Sequence, residues 1–187
     1  NPDRRNVLSV EVLEALQDTL LAISLDPGVR VVIIKSTGPV FSSGHDLKQL
    51  INVSTESQEM LFAACTGVMT SIRNLPQPVI AQVQGLATAA GCQLVATCDL
   101  AIASSDAAFA TPGVQIGLFC TTPGVAVSRA IGTKKTMEML LTGQPVSADD
   151  AVEVGLINRV VSPGDLDQSV LDYAKQICGA SSYTVTL

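Results

Sequence analysis

Tryptophan is absent from this chain of 187 residues, and histidine occurs once, at His45. The five cysteines, Cys65, Cys92, Cys98, Cys120 and Cys178, are odd in number and scattered, and no CxxC occurs. One histidine and isolated cysteines cannot assemble a zinc cage at recognisable spacing, so no metal is expected. A disulfide framework is equally unexpected in a chain this large and apolar, and a reducing compartment is the simplest reading. Charge is also scarce: 15% of residues are charged, with 11 Lys and Arg against 17 Asp and Glu. The net charge of −6 disfavours nucleic-acid binding, which needs clustered cations to neutralise phosphates. No run of like charges marks a tail or a basic arm. The first residues, NPDRRNVLSVEV, carry no apolar signal core, and no transit peptide is visible.

Long unbroken apolar runs are missing too. Residues 74–98 and 107–128 hold no Asp, Glu, Lys or Arg, which could suggest a membrane hairpin. Gln82, Gln84 and Gln93 interrupt the first stretch; Pro112, Gly113, Gly117, Pro123 and Gly124 cut the second into short pieces. Such fragments fit the buried interior of an α/β domain, so no membrane span is expected. At 47% apolar residues the chain has ample material for a core, and its length suits one domain over residues 1–187.

The pattern predicts strands over Val29–Lys35, Val79–Val83, Asp99–Ala103 and Asn158–Val161, with a short extended piece at Phe109–Ala110. Between them, Asp46–Ile51 predicts a short helix. A capping box at Thr55-x-x-Gln58 predicts a longer one that ends before Pro76. A turn at Gly85 leads to a helix beginning near Ala90. Thr122-Pro123 reads as an N-cap with proline at the first helical position, and that helix stops at Gly132. Further helices are expected over Thr133–Gly143, from Ser147-x-x-Asp150 to Gly155, and over Asp165–Cys178. Residues 6–27 receive no element from pattern. Alternating strands and helices make a layered α/β fold with a largely parallel sheet.

Two small-residue junctions lead into helices: Val40-Phe41-Ser42-Ser43-Gly44-His45-Asp46-Leu47 and Gln84-Gly85-Leu86-Ala87-Thr88-Ala89-Ala90-Gly91-Cys92. First-turn amides have no intrahelical partner and carry the positive end of the helix dipole. Two such amides converging on one carbonyl oxygen would stabilise developing negative charge, by roughly 3–4 kcal/mol per donor. The alternative is that both junctions are ordinary structural turns.

The segments FSSGHDL, VIAQVQGLATAAGCQLVATCDLAIAS, FATPGVQIGLFCTTPGVAVSRAIG and LLTGQPVSADDAVEVGLINRVV, in this order and spacing, resemble the crotonase (enoyl-CoA hydratase/isomerase) family. The resemblance runs from about Arg5 to about Gln176. It implies a ClpP-like spiral of ββα units with helices packed outside. It also implies trimers, often paired into hexamers, and a mitochondrial place in fatty acid metabolism. The implied ligand is an acyl-CoA thioester, with coenzyme A part of the substrate and no separate cofactor. The family's oxyanion-hole donors fall on the N–H of His45 and the N–H of Ala90, with Gly91 beside the latter. The His45-Asp46-Leu47-Lys48 segment is expected along the adenine and pantetheine path, and Arg5 near the nucleotide.

The departures bear on activity. The two glutamates with which family hydratases activate water are expected after Gly91-Cys92 and after Thr111-Pro112. This chain has Gln93 and Gly113 there. An amide is not a useful base and glycine has no side chain, so classical hydration should be weak or absent. Cys120, with Thr121, stands where some members place a catalytic side chain. It is a nucleophile only if its thiolate is stabilised, and otherwise a small buried residue. The remaining readings are enolate-stabilising decarboxylation or isomerisation, and a non-catalytic structural or regulatory partner. The family's first strand and C-terminal helical segment are not recognisable in this chain.

Overall fold

In the computed structural model, residues 1–185 are described, and they build two four-stranded sheets wound together. The winding follows from the order of strands along the chain. Strand β1 (Val32–Lys35) and strand β2 (Val40–Ser42) start separate sheets, and helix α2 (Thr55–Asn74) returns the chain. Strands β3 (Val79–Val83) and β4 (Leu86–Thr88) then pair parallel to β1 and β2 respectively, before helix α3 (Ala90–Thr97). Strands β5 (Leu100–Ser104) and β6 (Ala108–Ala110) repeat the step. Each ββα turn thus adds one strand to each sheet, as a right-handed superhelix of crossovers requires.

The remaining elements close the two stacks. Helices α4 (Thr121–Ala130) and α5 (Thr133–Thr142) precede a short strand β7 (Val146–Ser147), which pairs antiparallel with β6. Helix α6 (Ala148–Glu153) leads to β8 (Arg159–Val161), parallel to β5. Helices α7 (Leu166–Cys178) and α8 (Ser182–Val185) follow. The family's C-terminal helical segment is not recognisable in the sequence from Ser181 onward, and the last two residues lie outside the described ones.

The strands separate two apolar layers by period-two alternation. On β3, Val79, Ala81 and Val83 join the main core, while Ile80 faces Ile102, Leu166 and Val170 in a smaller cluster under α7. Both faces of β3 are therefore buried, which explains its near-continuous apolar sequence. Gln82, its polar exception, donates from Nε2 to Asp167 at 2.6 Å.

Residues 6–27, unassigned by pattern, contain helix α1 (Val10–Ser24), capped by Ser9, whose hydroxyl accepts the Val12 N–H. Leu13 and Leu20 of α1 are buried in the same core as Leu61, Val68 and Ile72 of α2. Several predicted boundaries shift for local reasons. Strand β1 starts at Val32, because Pro78 cannot donate to the ladder and offers only its carbonyl, which Val32 N–H takes at 2.9 Å. Helix α2 is capped by Ser54 accepting from Ser57 N–H, and the Gln58 side chain donates to the Leu50 carbonyl. The Thr55 capping box is therefore not formed. Helix α4 begins one residue before the predicted cap: the Cys120 carbonyl accepts the Gly124 N–H at 2.8 Å, leaving Pro123 among the amides that need no partner. The predicted helix at Asp46–Ile51 is a single 3₁₀ turn, Leu47–Gln49.

At Gly91 the backbone comes so close to β2 that a Cβ would lie 2.3 Å from the Ser42 carbonyl oxygen. Gly91→Ala should destabilise by about 1–3 kcal/mol in urea unfolding, because the obstacle is backbone and cannot rotate away. Gly164→Ala, where a Cβ meets nothing within 4 Å, should stay within about 0.5 kcal/mol. Equal effects at both positions would contradict this close approach.

Candidate functional site

The two junctions chosen from sequence meet in space. Gly44 is in the left-handed region, φ +82°, and a Cβ there would lie 3.0 Å from Ala90 N. Ser42 Oγ ties the first loop down: it accepts the Gly44 N–H at 3.2 Å and donates to the Asn6 carbonyl at 2.9 Å. The second loop is held by the Ala89 N–H donating to Ala110 at 2.9 Å. Ala89 itself sits at φ 52°, ψ −120°, an unusual conformation for a residue with a Cβ, and α3 has no side-chain cap there.

This arrangement leaves two amides unused. His45 forms a lone parallel bridge with Leu8, in which the Leu8 N–H goes to the Gly44 carbonyl at 2.8 Å, and the His45 N–H bonds to no described residue. Ala90 N–H opens helix α3 and has no partner among the described residues. Both residues border one cavity of about 470 Å³, a size suited to a small-molecule ligand. Leu47, Gly113 and Cys120 border it too, and Leu50, Phe62 and Phe119 supply apolar wall that the sequence reading did not find. No Asp, Glu, Lys or Arg side chain lines it among the described residues.

Other residues singled out from sequence lie elsewhere. Asp46 is buried and committed to structure: its carboxylate pairs with Arg4 and accepts the Lys48 N–H at 3.1 Å. Arg4, not Arg5, is thus the arginine that reaches the first loop. Arg5 contributes its carbonyl, which accepts the Ser43 N–H at 3.1 Å, and its side chain borders no part of the cavity. Lys48 is exposed and, like Arg5, lies outside the wall of this cavity. Gly91 packs on Ser42 behind the site. Gln93 borders a neighbouring cleft, and Gly113 borders the cavity itself.

Cys120 is not set up as a nucleophile. Burial pushes its thiol above the ordinary range, and the Gly113 N–H donating to Sγ at 3.3 Å acts in the opposite, weaker sense. Cys92, buried behind it, is pushed up to about 12. A thiolate is the reactive form, so both stay protonated near neutrality. His45 packs edge-to-face on Phe62 with centroids 5.1 Å apart, and burial lowers its pKa. Its Nε2 is buried without a hydrogen-bond partner. The imidazole in this wall is therefore neutral at physiological pH.

The whole chain, residues 1–187, matches the family model described as enoyl-CoA hydratase/isomerase. The chain belongs to the enoyl-CoA hydratase/isomerase family. It is 48% identical over 188 residues to the human protein called enoyl-CoA hydratase domain-containing protein 3, mitochondrial, covering 100% of this chain and 62% of that protein. The zebrafish (Danio rerio) protein of the same name is 47% identical, with 100% of this chain and 65% of that protein covered. This chain thus spans just under two thirds of the length of these relatives. The crystal structure of the human protein superimposes with a TM-score of 0.96 at 49% identity, over 99% of this chain and 74% of the other. An enoyl-CoA hydratase from Mycobacterium smegmatis gives 0.97 at 49% identity, over 100% and 73%. The fold is the crotonase fold of this family. No helix among the described residues is long and apolar enough to cross a membrane.

The lowered His45 pKa has a signed consequence. The unfolded chain, with His45 near 6.5, binds a proton that the folded chain excludes, so stability is full above that value and falls as pH drops toward the folded pKa. Urea midpoints at about pH 7.5 and 5.5 should differ less for His45→Gln than for the parent chain. An unchanged difference would place the acid sensitivity elsewhere.

Proposed function

We infer that this chain binds an acyl-CoA thioester, with the thioester carbonyl oxygen accepting from the N–H groups of His45 and Ala90. The observation carrying this reading is that two unused amides, one opening a helix, stand at the contact of two loops on the wall of one apolar cavity. In such a place preorganised donors act where water is excluded and charge develops on the carbonyl oxygen as an enolate forms. The apolar walls would hold the acyl group and keep the imidazole of His45 neutral. Names and family support a place in mitochondrial fatty acid metabolism, and the family resemblance supports assembly as trimers.

Classical hydration is not part of this reading. It needs positioned groups that give and take protons, and the cavity wall holds no carboxylate among the described residues. The same observation favours enolate chemistry that needs no protein base. In decarboxylation of an acyl thioester that carries a carboxylate on its α-carbon, the electrons of the breaking C–C bond flow into the enolate as carbon dioxide leaves. The two amides are then the required catalyst, and the enolate carbon is reprotonated from solvent.

Calorimetry with acetyl-CoA and crotonyl-CoA should show binding, and Ala90→Pro, which deletes one donor at the first helical position, should weaken the carbonyl polarisation of a ¹³C-labelled thioester in the infrared. Crotonyl-CoA hydration should run roughly 10²–10⁴-fold below that of a family hydratase assayed alongside. Failure of every acyl-CoA to bind would remove the thioester reading; rapid hydration would remove the reading of Gln93 and Gly113.

A further inference from the structure

A second cleft, of about 370 Å³, adjoins the site and has no assigned role. Its walls are two helices, each presenting one face: Thr66, Met69, Thr70 and Arg73 from α2, and Thr122, Val125, Ala126 and Arg129 from α4. The i, i+3, i+4, i+7 spacing aligns each set along one side of its helix. Its floor is α3, including Gln93. Thr122 borders this cleft and the thioester cavity alike, so the two are neighbouring spaces sharing one wall residue.

The polar content of the cleft is one-signed. Arg73 and Arg129 stand at its far end, in the last turns of their helices, and no Asp or Glu lines it. Neither guanidinium makes an ion pair among the described residues. Asp99 borders the continuation of the cleft beyond both arginines, but its carboxylate accepts the Val79 N–H at 2.8 Å and pairs with neither. Cations in a last helical turn are ordinarily explained by the helix dipole alone. Gln93 is not explained that way. It is 6% exposed, lies on the floor of the cleft, and its Oε1 is buried without a partner. A buried amide left unsatisfied carries a penalty that a polar ligand group removes. By rotating its terminal torsion, the amide can present either its oxygen or its NH₂ group to that ligand.

We propose that this cleft is a subsite for the far end of the acyl chain, and that Arg73, Arg129 and the Gln93 amide select acyl-CoA substrates ending in a carboxylate. The proposal rests on the thioester reading of the neighbouring cavity. The chain leaves the cavity past Thr122, runs over the methyl-bearing side chains of Val125 and Ala126, and delivers its charge to the two arginines. From Thr122 to Arg129 the helix rises about 10 Å, which suits a medium-length diacid rather than a short one. Two guanidinium groups on one carboxylate give charge-assisted hydrogen bonds, the strong kind.

Titration of the full chain with suberyl-CoA and octanoyl-CoA, which differ in whether the far carbon is a carboxylate or a methyl, tests this. Suberyl-CoA should bind roughly tenfold more tightly. In R73Q/R129Q the ratio of the two affinities should fall to about one, and each single variant should lower it in part. Equal binding of both ligands to the parent chain overturns the proposal while leaving the thioester reading intact. A double variant that weakens both ligands equally also overturns it, because the arginines would then serve the coenzyme's phosphates, which both ligands share. If neither ligand binds, the thioester reading itself fails, and the subsite with it.

Discussion

The contact of two backbones at Gly44, Ser42, Ala90 and Gly91 is the constraint on which the site depends. Side chains cannot mediate it, because there is no room for them: an added Cβ at Gly91 or Gly44 would meet backbone at 2.3 Å or 3.0 Å. Ser42 fills the remaining polar need by joining Gly44 N–H to the Asn6 carbonyl. Because the interior is close-packed, such a contact is either made to within a few tenths of an ångström or not made at all. The orientation of the first amide of α3 relative to the His45 amide is therefore set by the winding of the sheets. Strands β2 and β4 lie parallel and adjacent, and each ends at one of the two loops.

How the sequence carries this information differs between elements. Strand β3, buried on both faces, was legible as an apolar β-branched run, and the closing glycines Gly143 and Gly155 have the positive φ that a helix end favours. The Ser147 cap was legible too, since its hydroxyl accepts the Asp150 N–H at 3.1 Å. Helix α1 is weakly marked in the sequence, although Ser9 caps it and Leu13 and Leu20 recur at helical spacing. Its apolar face is defined by what it covers on α2, a tertiary fact. Ser54 and Thr55 are equivalent candidates by composition. Which of them caps α2 is decided by where Gln58 finds its acceptor, and that acceptor, the Leu50 carbonyl, lies in another segment.

The site divides along the same line. Its two unpartnered amides lie at junctions legible in the sequence, because a small-residue loop running into a helix exposes amides wherever it occurs. Its side chains were less so. Arg5 and Lys48 lie outside the cavity wall, and position in a motif does not say which way an exposed side chain turns. Asp46 is explained by a partner that the motif does not contain, Arg4, forty-two residues away. Phe62 and Phe119 form the wall only because α2 and the loop before α4 converge above the two junctions, a convergence with no local signature.

A physical asymmetry connects these points to the chemistry. Backbone donors belong to the scaffold: removing them means unwinding α3 or separating β2 from β4. Proton-transferring carboxylates belong to individual side chains, and one substitution removes each. At Gly113 the space a side chain would need is taken: a Cβ there would stand 2.9 Å from Cys120 Sγ and 3.1 Å from the Leu118 carbonyl oxygen. The loop from Leu118 to Cys120 covers the position, and Cys120 Sγ accepts the Gly113 N–H. A side chain could not be placed there without moving the segment that leads into α4. The cavity thus presents two unpartnered main-chain amides, with no carboxylate beside them among the described residues. On the thioester reading proposed above, such a wall suits substrates that bring their own leaving group better than reactions in which the protein must handle a proton.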